Sequence, residues 1–403
     1  MYIYKAAVVG AGTMGAEIAQ VISYSGLPVV LMDVSEEAVQ KGIQTARKIY
    51  QSRVDKGKMT SGDLEQKMAL ILPATAYDAF ADVDLVIEAV TEDIAVKKKV
   101  FAELDAACPA TTILATNTSA LSVTELSMAT RRPDRVIGIH FFNPAHVMKL
   151  IEVIPGLTTS PETVEDVVTF VEGLRKIPVR VQECAGFLVN RLLTPYLNEA
   201  TLALQEGSTG MREIDQAMTA FGMPMGPFAL ADLVGLDVAE KVSMILYDSY
   251  GPRMAPAELL SEMVREGRLG TKTGRGFYHY EGNDDKGVEA LIRKIQERTG
   301  VQGTSFSPHR LILSMINEAA TCLQEGVASA ADIDMAMMAG TGFPQDKGGP
   351  LHYADQIGVD TVLSELQRLK SELGFRFWPA PMIKRMVLAG HLGVNTGRGF
   401  FSY

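Results

Sequence analysis

The chain has 403 residues, a length that allows two to three domains, each with a buried core. Its hydrophobic content of 47% is ordinary for a globular protein, and its net charge of −10 argues against a general nucleic-acid binder. The cysteines and histidines lack metal-binding spacing, and we see neither an apolar run long enough for a membrane helix nor a signal-peptide pattern, so we expect a reduced, cytoplasmic protein that binds no metal and no membrane.

A glycine-rich turn lies between a predicted strand and a predicted helix near the N-terminus. Residues 6–9 form an apolar run typical of a buried parallel strand, and residues 16–24 have the pattern of a helix. Between them is a GxGxxG motif that includes Gly10, Gly12, Thr13, Met14 and Gly15. In this context the motif predicts a dinucleotide site, where backbone and helix N-terminus receive a pyrophosphate.

An acidic residue at the next strand end supports this interpretation. Asp33 follows the predicted strand of residues 29–32 and lies 18 residues after Gly15. A carboxylate at this spacing binds the adenine ribose and repels a 2′-phosphate, which favours NAD over NADP. The alternative is a glycine turn in another kind of α/β fold.

Polar residues also follow two further predicted strands. Residues 84–90 precede Glu92 and a helix from about Ile94 that carries Lys97, and residues 112–116 precede Asn117 and Ser119. In a doubly wound sheet such strand ends line the ligand crevice, so these four side chains are candidate site residues. Glu92 and Lys97 could instead only cap and decorate a solvated helix.

A histidine and a glutamate are the candidates for the chemistry. The predicted strand of residues 136–139 leads into His140, and Glu152 lies within the apolar run of residues 150–154. A carboxylate in such a run is costly to bury without a partner. Glu152 paired with His140 would fix the imidazole tautomer and leave the other ring nitrogen as a base. The alternative is an alternating strand on which Glu152 points to solvent.

The C-terminal half contains an internal repeat. Asn198 returns as Asn317 and Leu204 as Leu323, at a constant offset of 119 residues, and a shared Thr-Gly-Arg-Gly-Phe sequence closes both copies. The glycine motif and the strands around it predict an α/β Rossmann-type domain (1–184). The repeat predicts a helical domain (185–282), a linker (283–304) and a second helical domain (305–403).

The two copies differ where they begin. Asn190 in the first copy corresponds to His309 in the second, whereas the packing residues persist. We therefore regard Asn190 as a candidate functional residue. It could otherwise serve only to cap its helix.

Taken together, these motifs resemble the L-3-hydroxyacyl-coenzyme A dehydrogenases. The matching stretches are GAGTMG at 10–15, NTSAL at 117–121, HFFNP at 140–144, MKLIEVI at 148–154, GFLVNR at 186–191 and PMGPF at 224–228. Ala185 stands where many relatives carry proline.

The resemblance implies NAD-dependent oxidation of an L-3-hydroxyacyl thioester, or the reverse reaction. It implies that His140 is the general base, that Glu152 orients it, and that Ser119 and Asn190 hold the substrate oxygens. It also implies a cofactor site that includes Glu92, Lys97, Asn117 and Asn143.

The resemblance further implies coenzyme A binding and suggests a role for the repeat. Similar proteins place a basic patch for coenzyme A where this chain has Arg53, Lys56 and Lys58. Two-domain relatives dimerise through the helical domain, so the second copy could replace a partner subunit, giving a monomer or a homodimer. Two alternatives stay open: a dehydrogenase of a free hydroxy acid, similar to gulonate 3-dehydrogenase, and a non-catalytic NAD-binding scaffold similar to a lens crystallin.

Overall fold

The structure is a computed structural model that describes residues 2–280 and 286–403. The chain divides into two compact units, and the boundary in the sequence lies between Phe187 and Leu188. The strands of the first unit are β1 (Ala6–Val9), β2 (Val29–Met32), β3 (Ile71–Ala74), β4 (Leu85–Glu88), β5 (Ile113–Thr116), β6 (Val136–Phe141), β7 (Leu150–Pro155) and β8 (Ile177–Arg180). Its helices are α1 (Thr13–Ser25), α2 (Glu36–Asp55), α3 (Ser61–Met68), α4 (Ile94–Ala107), α5 (Val123–Ser127) and α6 (Pro161–Gly173).

The eight strands form one sheet in the order β3-β2-β1-β4-β5-β6-β7-β8. The first six strands are parallel, β7 pairs antiparallel with β6, and β8 pairs parallel with β7. β1, β2, β4 and β5 are buried along their whole length, as parallel strands covered on both faces require. The predicted doubly wound sheet is therefore confirmed, and the order reverses between β1 and β4, where such folds bind their ligands.

Helix starts in this unit follow from local side-chain caps. Ser35 accepts a hydrogen bond from the amide of Ala38 at the start of α2, and Thr60 forms a capping box with Asp63 at the start of α3. α1 begins at Thr13, three residues before the predicted start, because Gly12 takes the N-cap position. The last three residues of the glycine motif, Thr13 to Gly15, therefore belong to the first turn of α1.

The second unit is helical. Its first-copy helices are α7 (Val189–Glu206), α8 (Met211–Phe221), α9 (Pro227–Val234), α10 (Leu236–Tyr250) and α11 (Glu258–Arg265), followed by α12 (Gly287–Thr299). The second-copy helices are α13 (Pro308–Gln324), α14 (Ala330–Thr341), α15 (Pro350–Ile357), α16 (Val359–Leu373) and α17 (Pro381–Leu388). The helical region predicted after the Rossmann-type domain is confirmed, and each first-copy helix has a counterpart in the second.

Both copies lie in the same compact unit. α7 and α13 pack on each other, so the copies share a core, and their status as two separate domains stays a prediction. The segment predicted as a linker contains α12, which buries Val288, Leu291 and Ile295 and packs on α7 and α11. Residues 283–285 of that segment lie outside the described residues.

Reciprocal ion pairs cross between the copies. Arg191 of the first copy binds Glu318 of the second, with Nε 2.7 Å from the carboxylate, and Arg310, the counterpart of Arg191, binds Glu199, the counterpart of Glu318, at 2.5 Å. Both arginines and both glutamates are almost fully buried. This exchange of equivalent contacts is the pattern of a two-fold symmetric interface, here built within one chain.

A second arginine in each copy also contacts the buried glutamate of the other copy. Arg253 contacts Glu318, and its counterpart Arg376 binds Glu199 at 2.7 Å. Because each buried carboxylate meets two guanidinium groups, the charges inside the interface are compensated.

Candidate active site

The glycine turn between β1 and α1 has the shape that a dinucleotide needs. Gly10 has a φ of +100°, and a Cβ there would lie 2.7 Å from the Ala89 carbonyl oxygen. A Cβ on Gly15 would lie 1.8 Å from the Gly10 carbonyl oxygen, whereas a Cβ on Gly12 would meet no atom within 4 Å. The first and last glycines therefore let the turn close, and Gly12 faces open space beside the N-terminus of α1, where a pyrophosphate would be held.

Asp33 lies at the mouth of this turn. Its Oδ2 accepts a hydrogen bond from the amide of Ala11 at 2.7 Å, and its Oδ1 accepts one from the amide of Val34. The carboxylate is thereby fixed beside the glycine turn and retains lone pairs for a ribose diol. These residues fit an NAD molecule with its adenosine half near Asp33 and its pyrophosphate over α1.

His140 and Glu152 are direct cross-strand neighbours. They occupy paired positions on β6 and β7, and His140 Nδ1 lies 2.7 Å from Glu152 Oε2. Glu152 is 0% exposed and His140 is 6% exposed. The hydrogen bond predicted from the sequence is present, and the alternative with Glu152 in solvent is wrong. If Glu152 accepts this hydrogen bond, the shared proton is on Nδ1 and Nε2 keeps its lone pair.

Aromatic rings enclose this imidazole. The ring centroids of Phe142 and Phe187 lie 4.4 Å and 5.9 Å from that of His140. Phe187 is 1% exposed and has a φ of +50°, in the left-handed region that bulky residues rarely adopt. The surrounding packing therefore holds Phe187 in this strained conformation beside the imidazole.

A buried network of carboxylates and one ammonium group lies at the ends of β4 and β5. Lys97 is 1% exposed, and its Nζ lies 2.7 Å from Glu88 Oε1 and 3.3 Å from Glu92 Oε2. The other oxygen of Glu92 accepts hydrogen bonds from Thr118 Oγ1 and from the amide and hydroxyl of Ser119. The alternative in which Lys97 decorates a solvated helix is therefore wrong, and the network connects three predicted site residues.

The electrostatics of this network favour ionised Glu92. Burial opposes its charge, but Lys97 and the hydrogen bonds from Thr118 and Ser119 outweigh burial and hold the pKa of Glu92 below its ordinary value. Ser119 is consequently positioned by a carboxylate that stays charged at neutral pH.

Glu88 belongs to this network and was not predicted. It is 0% exposed and accepts hydrogen bonds from Lys97, from the amide of Val90 and from Thr116 Oγ1. The signal that identified Glu152, a carboxylate inside an apolar run, is also present at Glu88 in the run of residues 85–90.

The remaining predicted residues of the first unit have different surroundings. Asn117 Oδ1 accepts a hydrogen bond from the amide of Phe141 at 2.8 Å, so this side chain ties the end of β5 to the residue after His140. Asn143 is exposed in the loop between β6 and β7.

The predicted basic patch lies at the C-terminal end of α2. Arg53 donates a hydrogen bond to Tyr24 Oη at 2.8 Å, and its guanidinium stacks over the Tyr24 ring. Lys56 and Lys58 are exposed just beyond α2. These two lysines are therefore the accessible part of the patch.

Asn190 is in the second unit. It is the second residue of α7 and is partly exposed. Its role as a substrate-binding residue stays a prediction.

Residues 2–280 and 286–403 contain no group of three or more histidine, cysteine or acidic side chains placed to hold a metal ion. Within the same ranges we find no helix with the length and hydrophobicity of a membrane span.

Comparison with known proteins identifies both halves of the chain. A family model described as the 3-hydroxyacyl-CoA dehydrogenase NAD-binding domain matches residues 5–184. The model of the C-terminal domain of that family matches twice, at residues 186–280 and 306–403.

Individual relatives agree with these matches. The fatty acid oxidation complex subunit alpha of Shewanella amazonensis is 37% identical over 394 residues, covering 96% of this chain and 56% of that protein. The chain thus spans a little more than half the length of the curated relatives it matches.

Solved structures extend the comparison to the fold. The 3-hydroxybutyryl-CoA dehydrogenase from Escherichia coli has 31% identity and a TM-score of 0.88, covering 96% of this chain and 99% of that chain. The (S)-3-hydroxybutyryl-CoA dehydrogenase from Ralstonia eutropha has 44% identity and a TM-score of 0.68, covering 70% of this chain and 100% of that chain. With an NAD-binding glycine turn, a buried histidine–glutamate pair and matches over nearly its whole length, the chain belongs to the 3-hydroxyacyl-CoA dehydrogenase family.

Proposed function

We propose that this protein oxidises the 3-hydroxyl of an L-3-hydroxyacyl-CoA to a ketone with NAD, or catalyses the reverse reduction. The observation that carries the proposal is the buried hydrogen bond between His140 and Glu152, on strands of a domain whose glycine turn fits a dinucleotide. NAD, when bound, supplies the acceptor for the hydride that leaves carbon 3 of the substrate.

The protein's own residues move the proton. In oxidation, the 3-hydroxyl gives its proton to His140 Nε2 as the carbon–hydrogen bond breaks and the carbon–oxygen double bond forms. Glu152 stabilises the resulting imidazolium from the opposite side of the ring, through Nδ1. In reduction, the imidazolium returns the proton to the oxygen that becomes the alcohol.

Ser119 and Asn190 are proposed to hold the substrate oxygens. The Ser119 hydroxyl donates to Glu92 at 3.3 Å, a long bond, while its backbone amide makes a shorter one to the same carboxylate oxygen at 3.0 Å. The amide therefore anchors the residue, and the weakly held hydroxyl can turn to donate to a ketone oxygen. Glu92, Lys97, Asn117 and Asn143 are proposed to face the nicotinamide half of the cofactor.

The adenosine phosphate of coenzyme A is proposed to bind near Lys56 and Lys58. Both lysines are exposed. The acidic protein thus offers a local positive charge to an anionic substrate.

One experiment tests the function directly. NADH oxidation is followed with 3-ketoacyl-CoA substrates of graded chain length, beside the free 3-keto acids and a His140→Ala variant. We expect turnover of the thioesters, and a loss of about 10²–10⁴ in rate in the variant without unfolding. Turnover of the free acids alone would favour a hydroxy-acid dehydrogenase, and NADH binding without turnover of any substrate would favour a non-catalytic scaffold.

The second helical copy is proposed to take the place of a partner subunit. The support is the reciprocal pairing of Arg191 with Glu318 and of Arg310 with Glu199, which are equivalent contacts within one chain. Removing residues 305–403 would expose the packed face of α7 and leave Arg191 without its carboxylate partners, Glu318 and Glu325. We expect the shortened chain to self-associate in sedimentation experiments, and a soluble, active monomer would contradict the idea.

A further inference from the structure

A charged cluster outside the catalytic pair joins helix α1 to the loop between β6 and β7, residues 142–149. Glu17, in the second turn of α1, is 6% exposed, although acidic residues are seldom buried in a helix that packs on a sheet. Its Oε2 lies 3.2 Å from Nδ1 of His146 in the loop. Neither of these two atoms has a hydrogen-bond partner among the described residues, so the two groups lie close together without a hydrogen bond between them.

Lys176 fixes the same loop from the other side. It lies just before β8, and its Nζ donates hydrogen bonds to the carbonyl oxygens of Ala145 and Met148, both at 2.6 Å. Burial lowers the pKa of Lys176 to about 8, while the charge of Glu17 acts in the opposite direction and that of Lys149 adds to the lowering. A partly desolvated ammonium that bonds two loop carbonyls is a costly arrangement, and it immobilises this loop.

The position of the loop gives this cluster a consequence for the reaction. The loop starts two residues after His140 and contains Asn143, and the helix that carries Glu17 is the one whose N-terminus faces the proposed pyrophosphate site. Glu17 lies four residues after Thr13, about 6 Å along the helix axis.

We propose that Glu17, His146 and Lys176 form a clamp that fixes the β6–β7 loop to α1 and so positions His140 and Asn143 against the nicotinamide half of the cofactor. The inference rests on the proposed function, since it assigns positioning residues to that reaction. The clamp touches neither the adenosine half of the cofactor site, beside Asp33, nor the hydrogen bond between His140 and Glu152. Its loss should therefore slow the reaction while the adenosine half still binds.

The test uses the full chain with Lys176→Met, which removes both carbonyl hydrogen bonds. The matched control is Lys149→Met, which removes a positive charge from the same loop at an exposed position. We expect Lys176→Met to lower kcat about tenfold or more while the Kd for ADP-ribose, a probe of the adenosine half, changes by less than about twofold. The control should change neither quantity. Hydrogen exchange of the backbone amides of residues 142, 143 and 145–148 should quicken in Lys176→Met alone.

Three results would overturn the clamp. One is a kcat for folded Lys176→Met that equals the control, another is unchanged hydrogen exchange in the loop, and the third is a parallel loss of ADP-ribose binding, which would indicate general damage to the domain. If Lys176→Met does not fold, the isosteric Glu17→Gln replaces it, with a smaller loss of kcat expected and the same three contradicting results. A wild-type chain without dehydrogenase activity would refute the proposed function, and hydrogen exchange would still decide whether the clamp fixes the loop.

Discussion

Replacing Glu152 with glutamine tests the buried charge behind His140. The change keeps the shape and an oxygen that can accept from Nδ1, 2.7 Å away, but it removes the negative charge. Because the pair is buried, the charge acts through an effective dielectric constant of about 20, and charge centres about 4 Å apart attract by about 4 kcal/mol. If the imidazolium is largely formed in the transition state, kcat should fall about a thousandfold.

The assay compares kcat for the oxidation of an accepted L-3-hydroxyacyl-CoA by NAD with the Kd for NADH. Glu152 is 0% exposed and contacts His140 through Nδ1. Because a buried side chain cannot touch the cofactor, we expect the Kd for NADH to stay within about twofold of the wild type. Glu165→Gln is the matched control, because Glu165 forms an exposed ion pair with Arg180 in the same domain and should leave both values unchanged. A folded Glu152→Gln enzyme that keeps more than about a tenth of the wild-type kcat would refute the reasoning.

Three further predictions concern the cofactor, the buried ion pairs and the acidic groups of the second copy. Asp33→Ala should raise the KM for NAD about tenfold and reduce the preference for NAD over NADP, as steady-state kinetics with both cofactors would show. Arg191→Met should lower the free energy of unfolding in urea by roughly 1.5–3 kcal/mol, because the buried Glu318 loses one of its two guanidinium partners; no loss would mean that Arg253 suffices. Burial raises the pKa of Asp334 to about 7. Ionisation of Asp334 therefore lowers the free energy of unfolding as the pH rises from about 4 to 7. Phe401→Tyr, which supplies the hydroxyl that Tyr278 gives to Asp215 in the first copy, should therefore stabilise the protein by about 1 kcal/mol at pH 8 and by much less at pH 5, and an equal gain at both pH values would contradict the assignment.

Patterns that are local in the sequence predicted the first unit well. β1 and β2 have the predicted bounds, because apolar runs of only four residues bounded by turn residues favour buried strands over helices. The hydrogen bond between His140 and Glu152 was predictable for a similar reason, since a carboxylate in an apolar run needs a nearby partner.

Features that depend on packing between distant segments were not predictable. The contact of Glu17 with His146 joins a helix and a loop whose distance no local pattern sets, and the role of Glu88 requires Lys97 to fold back onto β4. The ion pairs of Arg191 with Glu318 and of Arg310 with Glu199 connect residues more than 100 positions apart. The repeat shows that these arginines are equivalent, but only the packing of α7 on α13 shows that each binds the other copy.

The interface between the two copies has a consequence for how the sequence can change. In a homodimer, one substitution alters both sides of the contact at once, whereas in a single chain each side mutates alone. The covalent connection also keeps the halves together at any dilution, so neither half must preserve affinity for a free subunit. The second half could therefore drift, as His309 in place of Asn190 and Phe401 in place of Tyr278 illustrate, while its arginines and glutamates still hold the first half in shape.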